Sequence, residues 1–187
     1  MHSKTLTVMI ALSVAVQACC CCTLLGGPQP PYTITHSEET LQRLQERVDA
    51  IETDTNGNFS MTVSEEEMTA LAAQTLDEME DAPPLSDLQV FFRNGHVELY
   101  MTIHLNGSFS LPGMLAFIID AQDGEFAITI EELVVGPLPM PESITDAMTE
   151  ALNEALTEGV PGDEDKVSIT DVQIGDREMT IFGRMPR

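Results

Sequence analysis

Downstream of Cys22 the chain has no cysteine at all, although four stand side by side from Cys19 to Cys22. That absence excludes a disulfide framework for everything that follows, so the fold there must rest on hydrophobic burial. Tryptophan is missing altogether, and basic residues are scarce: 8 Lys and Arg face 31 Asp and Glu, for a formal net charge of −23. A surface of that sign repels phosphate backbones and anionic headgroups, which argues against nucleic acid as a partner. It suits solubility, with collection of cations as the sharper alternative.

Catalytic signatures are also wanting. Apart from His2, the histidines are His36, His96 and His104, and no nucleophile elbow or zinc spacing surrounds them. His104 shares a predicted strand face with Glu98, Tyr100 and Thr102, which reads as a solvated sheet face. Glu52 to Gly57 imitates the opening of a calcium loop, but Val63 stands where the closing bidentate Glu belongs, so an Asn-Gly turn is the better reading. No catalytic residue, metal or cofactor is therefore assigned, and the chain reads as a non-enzyme.

What is present begins with the N-terminus. Lys4 precedes an apolar run from Thr5 to Val16, and Val16-Gln17-Ala18-Cys19 follows. The run has the length of a signal-peptide core and is short for a bilayer span of about 20 residues. The pattern resembles a bacterial lipobox, in which cleavage before a diacylated cysteine would leave Cys19 as the lipid-attachment residue. An uncleaved anchor over Thr5 to Gly26 is the rival, and adjacent cysteines also admit palmitoylation in a eukaryotic host. The lipobox and anchor versions both expect a domain on the extracytoplasmic side, held to the cell membrane. The segments expected are 1–18 as signal or anchor, 19–36 as lipidated terminus and Pro/Gly linker, 37–53 as a stalk helix, and 57–187 as an α+β domain.

Gly26 to Pro31 (GGPQPP) reads as a linker extending away from the anchor. Leu41, Leu44, Val48 and Ile51 recur at helical spacing between Ser37 and Thr53, a narrow stripe for a stalk or an edge-packed helix. Phe59, Met61 and Val63 alternate as a strand, and Ser64 with Glu67 forms a capping box opening a helix that Pro83-Pro84 stops. Glu65-Glu66-Glu67 suits the positive end of that helix's dipole. Two hairpins are signalled by Asn94-Gly95 and Asp123-Gly124 between alternating runs. The strand from Phe109 to Ile119 is nearly continuous in apolar residues, so it should be covered on both faces.

Gly136 to Pro141 forms a corner into a second helix, about Glu142 to Thr157, striped by Ile144, Ala147, Met148, Ala151, Leu152, Ala155 and Leu156. A last hairpin runs from Val167 to Ile174, turns at Gly175-Asp176, and returns from Glu178 to Gly183. In its first strand Val167 and Ile169 share one parity while Val172 and Ile174 take the other, which predicts a bulge near Thr170-Asp171.

The order strand, helix, hairpin occurs twice. Gly57 to Val63 matches Gly124 to Ile130 in pattern, and Leu85-Ser86-Asp87-Leu88-Gln89-Val90 matches Ile169-Thr170-Asp171-Val172-Gln173-Ile174. Two such units can lay both helices against one curved antiparallel sheet of about seven strands. The eleven methionines fall mostly on predicted apolar faces; each alone is ordinary core, while together they suit an irregular apolar ligand.

The segment 57 to 185 resembles the YpmS-like and LmeA-like bacterial extracytoplasmic families, whose domain is similar to the tubular lipid-binding (TULIP) fold. The resemblance rests on Met61-Thr62-Val63-Ser64-Glu65-Glu66-Glu67, the hairpin Leu88 to Met101 around Asn94-Gly95, the Gly136 to Pro141 corner and the helix after it. It implies a hydrophobic groove between helix and sheet, suited to a lipid chain, and no catalytic residues; the very acidic surface and small size depart from the pattern. Met68, Leu71, Met101, Leu115, Phe117, Met148 and Leu152 are the candidates for lining that groove. The expected function is a membrane-tethered binding domain for a lipid or other apolar ligand. The alternative is a non-catalytic envelope accessory protein without a cavity, whose acidic face or 37–53 helix would meet a basic protein partner.

Overall fold

The computed structural model describes residues 26–79, 82–105, 109–158 and 167–185. Cys19 and the whole N-terminal signal lie outside them, as does the acidic stretch 159–166. The elements run α1 (Glu38–Asp49), β1 (Asn58–Ser64), α2 (Glu65–Glu78), β2 (Leu85–Arg93), β3 (His96–His104) and β4 (Ser110–Gln122). Then follow β5 (Glu125–Val135), β6 (Leu138–Pro139), α3 (Glu142–Glu158), β7 (Ser168–Ile174) and β8 (Glu178–Arg184). The class is α+β, with every strand pair antiparallel.

Instead of one sheet there are two. β2-β3-β4-β5-β6 form a five-stranded sheet, and β1-β8-β7 a three-stranded one. The division has a local cause. Ser64 ends β1 and caps α2 in the same step: its side chain accepts from the Glu67 amide, and the Glu67 carboxylate accepts from the Ser64 amide. With no loop between them, α2 is delivered straight onto the outer edge of β2, where Thr69 Oγ1 accepts from the Val90 amide at 2.9 Å and Glu65 Oε1 from the Phe92 amide at 3.0 Å. That edge is occupied, so β1 turns to β8.

α3 closes the other side in the same way. Thr149 Oγ1 accepts from the Ile130 amide at 3.0 Å, and Asn153 Oδ1 accepts from the Ile128 amide at 2.8 Å while its amide group donates to the Ile128 carbonyl at 2.7 Å. Each helix thus presents a pair spaced i, i+4 to strand residues spaced i, i+2. Open edges of this kind invite pairing with other chains, and here side chains consume them. The twofold order of strand, helix and hairpin holds, with one asymmetry: α2 seats on the strand after it, α3 on the strand before it.

The hairpin turns stand where their dipeptides place them. Asn94 and Gly95 take φ of 30° and 105°, Asp123 and Gly124 φ of 54° and 87°, the left-handed values of a tight hairpin turn. The expected bulge in β7 lies between Ile169 and Asp171 opposite β8, and others interrupt β2 between Ser86 and Gln89 and the β4–β5 ladder at Ala116/Phe117. In mid-β4 the neighbours Leu115 and Ala116, which point to opposite faces, are both buried.

The core gathers Val90, Phe92 and Val97 of the large sheet with Met179 of the small one. Met68 and Ala72 of α2, Leu99, Phe117 and Ile119 of β3 and β4, and Val172, Ile174 and Ile181 of β7 and β8 pack around them. Full burial of one such large side chain is worth about 1.5–3 kcal/mol, so this one cluster holds the two sheets together. Phe91 and Phe92, successive residues, are both 0% exposed, so β2 is covered on both faces.

The Pro/Gly segment does not stand free: residues 26–36 lie on the domain. The Cβ position of Gly27 sits 2.6 Å from the Pro112 ring and 2.7 Å from the Gly136 carbonyl, contact that only glycine tolerates. Ile34 is 7% exposed and donates its amide to Gln89 Oε1 at 3.0 Å. α1, shorter than the 37–53 helix expected, is capped by Ser37 and packs on α2 through Thr40 and Leu44, leaving Val48 exposed. Arg47 donates to the Thr62 carbonyl and to Glu67 Oε2, each at 2.9 Å.

Candidate functional site

The groups with most chemistry converge at the α2 end of β2. Glu65, the first residue of α2, keeps only 4% of its side chain exposed. Its Oε1 accepts from the Phe92 amide and from Arg93 Nη1 at 2.8 Å; its Oε2 accepts from the Tyr32 hydroxyl and lies 3.7 Å from Arg177 Nε. Arg93 stacks over Tyr32 and Phe91, and Arg177 over Tyr32. Phe91 meets Tyr32 and Tyr100 edge-on, with centroids 5.0 and 5.4 Å apart. Arg177 also donates its amide to the Phe92 carbonyl and accepts from the Glu65 amide.

One carboxylate therefore ties four segments: the N-terminal stretch, α2, β2 and the β7–β8 turn. Burial and the adjoining Glu65 hold the Tyr32 phenol above its ordinary value, and burial followed by the Glu98 charge does the same for Tyr100. Burial opposes charge on Arg93, but its bonds to Tyr32 and Glu65 outweigh that and hold its pKa up. A hollow of about 440 Å³ opens beside the cluster, lined by Tyr32, Thr33, Ile34, Thr35, Ser64 and Arg177 among others. Both Glu65 oxygens are already engaged, which makes this a structural knot. All three of Glu65-Glu66-Glu67 stand in the first turn of α2, where the dipole favours them, but two have a further role: Glu67 completes the cap and Glu65 is the buried tie.

The second candidate region is the apolar face of the large sheet beyond the core. Register places Leu99 opposite Leu115, Met101 opposite Gly113 and Ile103 opposite Leu111; across β4, Leu115 faces Leu133 and Gly113 faces Val135. The core cluster covers this face at Val97, Leu99 and Phe117. Farther along, Met101, Ile103, Leu111, Leu133 and Val135 are only half-buried, and Leu105 and Phe109 are 48% exposed. α2 on β2 and α3 on β5 flank the stretch from the two sides. Leu71, at 41%, and Ile144, at 41%, remain uncovered on the helices.

The seven groove candidates divide accordingly. Met68 and Phe117 pack into the core between the sheets, and Leu115 is buried at 8%. Met101 lies on the half-open stretch, Met148 is half-buried on α3, and Leu71 and Leu152 are exposed on their helices. Met68 and Phe117, both half-buried, therefore lie at the margin of the core between the sheets. Unanticipated were the edge-sealing residues Thr69, Thr149 and Asn153. Their signal was a polar side chain bordering an otherwise apolar helical stripe, four residues from a second one.

Elsewhere the polar groups are spent locally. Asp54 Oδ1 accepts from the Asn56 and Asn58 amides at 2.7 and 2.9 Å and its Oδ2 from the Asn58 side chain, bonds that hold its carboxyl below the ordinary carboxylate value. His104 bridges Ser110 and Ser86 at 2.8 and 2.9 Å. Among the described residues no helix is long and apolar enough to cross a membrane. No protein-family model, curated protein or solved structure matches the chain.

Proposed function

We propose that the chain is a membrane-tethered extracytoplasmic domain that binds a lipid or another apolar ligand on the distal half of its large sheet. The observation that carries this is the half-open apolar stretch Met101, Ile103, Leu111, Leu133 and Val135, flanked by two helices anchored on opposite sheet edges. Binding sites for apolar ligands are concave, apolar and few in a domain. Interruptions in β2 and in the β4–β5 ladder support a sheet curved around such a ligand. The resemblance to TULIP-like families belongs to the same proposal, as does the tether, whose Lys4, apolar run and Cys19 supply the address. No enzymatic step and no cofactor enter it.

Native mass spectrometry and solvent extraction of the full chain test the reading. One apolar molecule per chain, displaced by a competing lipid, is the expected result; a chain that yields none and takes up none contradicts it. The accessory reading draws on the packing of Met68 and Phe117 against the buried Met179 between the sheets. It predicts capture of a basic protein that salt disrupts and detergent does not.

A further inference from the structure

Charge is distributed over this domain with a sharp polarity. From Leu99 to Ile119 there is no Asp, Glu, Lys or Arg; the same holds from Leu133 to Pro141, from Ala82 to Ser86 and from Gly26 to Ser37. Thr55 to Ser64 and Met68 to Leu76 are free of charge as well, but these four stretches share a location, because the fold brings parts of all four to one end.

The register shows this. Leu85 pairs with Ile103 and His104 with Ser110, so the start of β2, the end of β3 and the start of β4 coincide. The His104 amide donates to the Pro84 carbonyl, and the Leu105 amide to the Phe109 carbonyl. Gly113 pairs with Val135, the Gly136 amide donates to the Pro112 carbonyl, and Val135 pairs with Leu138. Gly27 enters against Pro112 and Gly136. Both helices run antiparallel to the strands they seal, so the C-terminus of α2 and the N-terminus of α3 point to this end as well.

The four most exposed large apolar side chains of the described residues lie there, Leu138 at 62%, Met79 at 53% and Leu105 and Phe109 at 48%, with Ile144 at 41%; Tyr32 and Val167 are exposed at the opposite end. The opposite end carries Glu65, Glu66, Asp120, Asp123, Asp176 and Glu178.

We infer that this end, whose strand ends and turns carry no charge between the acidic ends of the two helices, is a docking surface for a zwitterionic lipid bilayer, into whose interface Leu105, Phe109 and Leu138 insert. Clustered exposed apolar residues mark an interaction site, whereas scattered ones do not. The lipid occupant follows from where the chain outside the described residues joins. Residues 1–25 contain the apolar run Thr5 to Val16 and lead directly into Gly26 at this same end. From Cys19 to Gly26 is seven peptide steps, at most about 25 Å of chain, so a membrane attachment at Cys19 as proposed above would hold this end of the domain nearest the membrane. Charge selects the lipid: Glu78 and Glu142 flank the patch and meet ammonium headgroups favourably, while the net charge of −23 disfavours anionic membranes. The inference extends the proposed function, since a bilayer-facing end lets an acyl chain pass between membrane and sheet, and it rests on that reading's membrane tether, while the charge and exposure pattern is independent of the ligand site.

The absence of tryptophan supplies a background-free probe. Full-length Leu138→Trp and Phe109→Trp, with Asn94→Trp at the opposite end as reference, are reconstituted into phosphatidylcholine vesicles containing brominated acyl chains. The expected result is blue-shifted, strongly quenched emission for the first two and unshifted, unquenched emission for Asn94→Trp. Phosphatidylglycerol in the vesicles should reduce the quenching. Equal emission from all three positions overturns the inference. Because a bound brominated lipid could also quench, Leu138→Trp is repeated with Phe109→Glu: insertion predicts loss of quenching with the extractable ligand retained. Unchanged quenching in that double variant also overturns the inference while leaving the proposed ligand site standing, and loss of the ligand alone does the reverse.

Discussion

The two sheet edges of this molecule are sealed by the same device built from different chemistry. On β2, α2 offers Glu65 and Thr69, and the carboxylate draws in Arg93, Arg177 and Tyr32, binding the N-terminal segment and both sheets into one knot. On β5, α3 offers Thr149 and Asn153, neutral groups that bond to the strand beneath them and to their own helix. The difference teaches where the fold is rigid. α2 is held by charge and by the core through Met68 and Ala72, whereas α3 is seated by neutral hydrogen bonds; both helices leave apolar side chains uncovered, Leu71 on α2 and Ile144 and Leu152 on α3. If an apolar ligand is to enter beside the sheet, α3 is the wall that yields.

Breaking the charged seat should have the largest effect. Glu65→Ala strands Arg93 and the Phe92 amide, and removing one partner of a buried pair costs about 3–5 kcal/mol, read as a drop in the chemical-denaturation midpoint. A loss no larger than that of a surface substitution would show that the knot is not a tie. Thr69→Val keeps the shape of the side chain but leaves the buried Val90 amide without an acceptor, for about 1–3 kcal/mol by the same measurement. Asn153→Ala, half-buried and able to admit water, should cost about 1 kcal/mol and speed hydrogen exchange at Ile128 without affecting Phe92. Equal protection loss on both edges would erase the contrast.

A smaller effect is confined to alkaline pH. The only two tyrosines, Tyr32 and Tyr100, both have phenols raised above the ordinary value of 10.0. A raised folded value means stabilisation that is fully present below the unfolded value and is lost as pH climbs through the folded one. Absorbance titration should therefore show both phenols ionising above pH 10, with loosening of the N-terminal segment as Tyr32 loses its proton. Midpoints at or below the ordinary value would contradict the packing drawn around Glu65.

Local features of this fold were legible in the sequence. The Ser64–Glu67 cap, the Asn94-Gly95 and Asp123-Gly124 turns and the bulge at Ile169/Asp171 each depend on a few adjacent residues whose preferences decide them. The division into two sheets was not legible, because it follows from α2 occupying the β2 edge, a contact between Thr69 and Val90 that no periodicity announces. Gly26 to Pro31 misled for the same reason: its composition suits a free linker, and its surface to lie on comes from distant strand residues such as Gln89, Tyr100, Pro112 and Gly136. The groove candidates mixed two environments because alternation identifies an apolar face without saying how far along it the core extends; Phe117 and Met101 share that face but not its cover.

The most direct test is titration of the full chain with a fluorescent fatty-acyl probe, comparing the native sequence with Ile103→Glu on the half-open stretch and Asn94→Asp at the opposite end. A carboxylate buried against an acyl chain should weaken binding about tenfold or more. Saturation at one probe per chain, lost in Ile103→Glu and kept in Asn94→Asp, is the predicted result. Absence of saturable binding by the native chain, or equal affinity in all three, would contradict it.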